Sequence, residues 1–170
     1  IRQPVRNDYP LLACLELGAS WVRTPVADLA DPTQARRLSI LRAEGIRVQA
    51  IGLGESEALA CIDDLADPAP VDRLELQLPG RTAPEPAALS SLLALDLPLV
   101  VTPVLPGQPV PGKQHHRTRV GYLVEELDGL DPRAVHVGCR IDPSSPWEMA
   151  AQLRQAVVDR SWRLQLLAEL

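Results

Sequence analysis

Groups with chemistry to offer gather at the ends of the apolar runs in this chain. Arg23 and Thr24 lie in the first run, Glu55 follows the second, and Gln77 and Arg81 end and follow the third. Thr102 lies in the fourth, and the loop after it carries Lys113, His115, His116 and Arg117. Arg140 and Asp142 end the fifth, and Glu169 the sixth. A guanidinium binds carboxylate or phosphate through paired N–H donors. The surplus of Arg23, Arg81, Lys113, Arg117 and Arg140 over Glu55, Asp142 and Glu169 therefore points to an anionic small molecule. Thr24, Gln77 and Thr102 add neutral groups suited to hydroxyls. The candidate substrate-binding set is Arg23, Thr24, Gln77, Thr102 and Arg140. Proton transfer falls to Glu55, Asp142 or the loop histidine His115.

Other chemistries lack their parts. GxSxG, SxxK and HExxH are absent, and so are the glycine-rich dinucleotide and P-loop fingerprints. Gly52-Leu53-Gly54 is a lone GxG and reads as a turn. His115 and His116 are adjacent, and neighbouring side chains diverge, so they suit a mobile loop or a lid better than one shared metal ion. No metal and no cofactor are expected. Cys14, Cys61 and Cys139 are odd in number and show no CxxC spacing, which suits small buried residues in a reducing cytosol. Asp63-Asp64 and Glu125-Glu126 read as solvated helix faces.

Composition narrows the class. The net charge of −5 gives no global field to attract nucleic acid. No run approaches the ~20 apolar residues that a membrane-spanning helix needs. The first ten residues, IRQPVRNDYP, lack a signal-peptide core. A cytoplasmic setting with no membrane and no nucleic-acid partner is the expectation. Lys113 is the single lysine, Phe is absent and Pro reaches 17 of 170, a skew that GC-rich coding explains. A core without Phe must use Leu, Val, Ile and Ala, with Trp21, Trp147 and Trp162 as its large pieces.

The elements that must position these groups come in a regular alternation. Strands are expected over 21–26, 46–53, 73–78, 97–105, 134–141 and 162–167. Helices are expected over 9–18, from Asp31-Pro32 to Gly45, from Ser56 to before Pro68, over 84–95, from 118 to 128 and over 146–159. Asp31 suits an N-cap, Pro32 the first helical position and Gly45 the stop. Six strands at about 25-residue spacing, separated by five helices, mark repeated right-handed βαβ crossovers. Their apolar runs suit a sheet covered on both faces. The expectation is a single α/β domain of residues 1–170 with parallel strands, a partial barrel of about six strands. It starts on a helix and stops on a strand, as the middle of a barrel would. Missing segments, or a second copy or partner chain that completes the barrel, are favoured over a free monomer.

The stretch 18–53, GASWVRTPVADLADPTQARRLSILRAEGIRVQAIGL, resembles consecutive units of TIM-barrel families. Barrel-type glycoside hydrolases, sugar isomerase/epimerase-like barrels and pyruvate-type aldolases use similar G-A-x-x-V-R and E-G-I-R-V strands. The resemblance implies a (β/α)8-type fold with its chemistry at the carboxyl ends of the strands. It implies no single activity. A glycosidase needs two carboxylates at strand ends, and Glu75 lies inside its strand. A metal-dependent isomerase needs a histidine at a strand end. A Schiff-base aldolase needs a lysine in a strand. The expected function is a small-molecule enzyme or binding domain acting on an anionic or polyhydroxylated metabolite. The alternative is a barrel-derived interaction module without catalysis.

Overall fold

A computed structural model describes residues 8–65, 71–107, 118–130, 136–141, 144–158 and 163–168. In chain order they form α1 (Tyr9–Glu16), β1 (Trp21–Pro25), α2 (Pro32–Ala43), β2 (Arg47–Leu53), α3 (Glu55–Ala60), α4 (Ile62–Leu65) and β3 (Arg73–Pro79). Then come α5 (Pro86–Leu93), β4 (Leu99–Leu105), β5 (Arg119–Val120), β6 (His136–Ile141), α6 (Pro146–Val158) and β7 (Arg163–Ala168). The strands join in the order β1-β2-β3-β4-β6-β7, all parallel, while β5 pairs antiparallel with β4. The sheet curls into a half-barrel of alternating βα units.

Local signals act largely as the sequence predicts. Asp31 caps α2, its carboxylate accepting from Thr33 N at 2.7 Å and Gln34 N at 3.2 Å. Pro32 occupies the first turn, and the helix stops just before Gly45. Ser56 does not cap the next helix. Gly54 takes the N-cap position of α3 without a side-chain bond, and Glu57 accepts from Leu53 N at 2.6 Å.

The helix expected over 118–128 is not formed. Thr118 and Val120 are β-branched and favour extended backbone, and Gly121 turns the chain at φ +86°, where a helix cannot continue. Arg119–Val120 instead form β5, and Val124–Gly129 form a 3-10 helix. This segment enters the sheet as a wedge. Val100 and Val101 pair with His136 and Val137. Beyond them Gly121 N donates to Pro103 O at 2.9 Å, Tyr122 N to Gly138 O at 2.8 Å and Arg140 N to Tyr122 O at 3.0 Å.

The two faces of the sheet differ in chemistry. Toward the helices point Val48, Ala50, Leu74, Leu76, Leu78, Leu99 and Val101, packed on Val26, Leu38, Leu41, Leu65, Leu89 and Leu92. Beyond the wedge a second cluster joins Tyr122, Leu127, Val137, Cys139 and Leu153. Register and strand alternation place Arg23, Gln49, Glu75, Gln77 and Thr102 on the opposite, concave face. The strands are thus two-sided rather than apolar throughout. Among the described residues the fully buried aromatic is Tyr122; Trp147 is exposed. Cys139 is buried, whereas Cys14 and Cys61 are half-buried, and none of the three is in a disulfide.

Candidate functional site

Glu75 is the centre of the concave face. Its side chain is 0% exposed. A bare carboxylate there would be costly, so it must be paired and hydrogen-bonded. Arg23 Nη2 and Gln49 Nε2 both donate to its Oε2 at 2.5 Å, and Gln77 Nε2 donates to its Oε1 at 3.1 Å. One carboxylate therefore fixes donors from three strands. Arg23 keeps 44% of its side chain exposed, so its guanidinium still reaches solvent.

Thr102 continues this polar strip. It is the register partner of Gln77, one strand over, and is fully buried. Its hydroxyl has no hydrogen-bond partner among the described residues. It lies over Gly138 of β6, where a Cβ would come within 2.3 Å of Thr102 Oγ1. Glycine at 138 is what makes room for it. Arg140 stands two residues along β6, on the same face as Gly138 and partly exposed. Arg23, Gln77, Thr102 and Arg140 thus share one face.

Thr24 does not join them. It points to the helix side, and its hydroxyl donates to Asp28 at 2.9 Å. Adjacent strand residues face opposite ways, so Arg23 and Thr24 cannot line one site. Glu55 lies in a loop clamp. It accepts from Arg81 Nη2 at 2.8 Å and from Glu85 N at 2.7 Å, tying the turn after β2 to the one after β3. Asp142 and His115 lie outside the described residues, as do Lys113, His116, Arg117, Trp162 and Glu169.

Glu126 is not a solvated helix residue. It accepts from Leu123 N at 2.8 Å and pairs with Arg119 at 2.6 Å. Burial, and secondarily Glu126, push the Cys139 thiol up to about 12. A thiol so protonated is no nucleophile at neutral pH. Burial also raises the Tyr122 phenol, which donates to the Thr82 carbonyl.

Sequence reasoning set Glu75 aside and missed Gln49. The signal lay in RLELQL, where Arg, Glu and Gln alternate with Leu. On a parallel strand that pattern marks one polar face rather than a doubly buried run. Among the described residues no group of three or more metal-ligating side chains comes together, and no helix is long and apolar enough to cross a membrane. No protein-family model matches this chain, and no curated protein matches it either.

Proposed function

We propose that the chain is a small-molecule enzyme or binding domain of the TIM-barrel type, and that its concave face holds an anionic or polyhydroxylated metabolite. One observation carries this reading: a buried carboxylate orients Arg23 and Gln77, and Gln77 stands in register beside Thr102, whose buried hydroxyl has no hydrogen-bond partner among the described residues. Fixed donors beside an unused hydroxyl are what a ligand rich in oxygen would satisfy. Arg23 and Arg140 would meet its negative charge, and Gln77 and Thr102 its hydroxyls. Asp142, next to β6, and His115, in the segment after β4, would supply proton transfer. A second copy or a partner chain that completes the barrel belongs to the same proposal.

A second reading, a module without catalysis, is favoured by the state of the described carboxylates. Glu55 and Glu75 are both held by arginines, which leaves neither a ready base.

The test is thermal denaturation of the chain with glucose, glucuronate and glucose 6-phosphate. A ligand that binds the folded state raises Tm with its concentration. At least one probe should do so, and T102V and R140Q should each weaken it about tenfold. No shift with any probe, or full binding by both variants, refutes the site. NMR of the bound probe after incubation separates turnover from binding alone.

A further inference from the structure

Among the described residues β1 is an edge of the sheet, with β2 on one side and no strand on the other. Arg47 N donates to Ser20 O at 3.1 Å. Backbone groups alternate along a strand, so Ser20, Val22 and Thr24 turn theirs to β2, and Trp21, Arg23 and Pro25 turn theirs to the edge. The N–H and C=O groups of Trp21 and Arg23 therefore stand outward as a pairing template. Pro25 has no N–H to offer and ends it.

The helix beside this edge is short of cover as well. Packing of α3 on α5 and of α1 on α2 shows that the helices follow the order of their strands, so α1 is outermost, next to the edge. Its Leu11, Cys14 and Leu15 pack inward. Yet Tyr9 and Leu12, with Leu17 just after the helix, are 80%, 50% and 82% exposed. A helix with apolar side chains on its outer side too is one that something else covers.

We propose that a second copy of this chain docks here, its β1 pairing antiparallel with this one about a two-fold axis at Val22, and its α1 packing against this α1. One occupant then accounts for both features, because a two-fold axis sets each patch against its own likeness. In this register Trp21 lies opposite the second copy's Arg23, and Arg23 opposite its Trp21. Four N–H···O bonds use every outward group of those residues, and Pro25 falls outside the paired stretch. Charge selects the register: the next one, centred on Arg23, would set arginine against arginine, and like charges directly opposite weaken a ladder. Side chains of this size have on the order of 150–250 Å² to bury, so Tyr9, Leu12 and Leu17 offer roughly 400 Å² in each copy. Two copies, with the paired strands between them, reach the ~1,000 Å² that a specific interface needs. Such a copy prolongs the curved sheet at β1, and the inference stands apart from the ligand reading of the concave face.

The experiment follows the chain by sedimentation velocity over a range of concentrations. It should form a dimer at tens of micromolar, and L12K, at an exposed position, should weaken that dimer at least tenfold while leaving the Tm of the dilute monomer unchanged. V22C tests the axis. Opposed residues of a non-hydrogen-bonded antiparallel pair have Cα atoms about 4.5 Å apart, within disulfide reach. Mild oxidation should therefore link V22C into a covalent dimer, while T24C and the unaltered chain stay unlinked. A chain that remains monomeric overturns the inference, and so does a dimer that L12K leaves intact or that V22C does not link. A monomer that still binds a sugar probe overturns the inference alone and leaves the ligand reading standing.

Discussion

Arg23 and Glu75 show how one residue pair ties stability to the site. Removing Arg23 takes from a wholly buried carboxylate the arginine that donates to it, leaving the amides of Gln49 and Gln77 in place. A buried ion stripped of its partner typically costs 3–5 kcal/mol. Because Arg23 is itself half-exposed, R23A should cost about 3 kcal/mol, read as a lower urea midpoint at unchanged slope. Cys139 sets a pH limit. Its thiol holds its proton to about 12 in the folded chain, against an ordinary value of 9.0. Between those values the folded state binds more protons than the unfolded one, so stability is full below about 9 and falls as pH rises toward 12. Tyr122, also raised, adds to the slope in the same direction. C139A should flatten alkaline unfolding followed by circular dichroism. Neither residue was legible as a hub from sequence. A buried Glu and a buried Cys are defined by partners on other strands, and strand register is invisible in one sequence.

At the scale of elements, what was legible is what local chemistry decides. Asp31, Pro32 and Gly45 bound α2 because capping and φ preferences act within a few residues. The error over 118–128 is instructive. Leu123, Val124 and Leu127 have helical spacing, yet Gly121 and the pairing to Pro103 and Gly138 decide the outcome. Tertiary hydrogen bonds outweigh a weak local pattern. The contact between β4 and β6 makes a sharper prediction. G138A would drive a methyl into Thr102 and should cost about 1–3 kcal/mol, as overpacking does. T102A should recover most of that loss. A double-mutant cycle on the two variants measures the coupling, and an additive result would refute the interlock.

At the scale of the molecule, the alternation of β and α units was legible because apolar runs and turn residues recur at a fixed spacing. That the sheet is polar on its concave side was not, since the runs were read as covered on both faces. The alternation within RLELQL carries that information only when paired with β1 and β2 in register.

The wedge at Gly121-Tyr122 bears on cooperativity. It parts β4 from β6 just beyond Val101 and Val137, and among the described residues the apolar interior is divided at the same place. The larger core belongs to β1 through β4, and the smaller to β6, α6 and the 3-10 helix. Two interiors divided by such a wedge need not melt together. The smaller part should open first. Heating should give two transitions by calorimetry, with backbone amides of β6 exchanging their hydrogens well before those of β3. A variant that weakens only the smaller core, L153A, should move the first transition and leave the second in place.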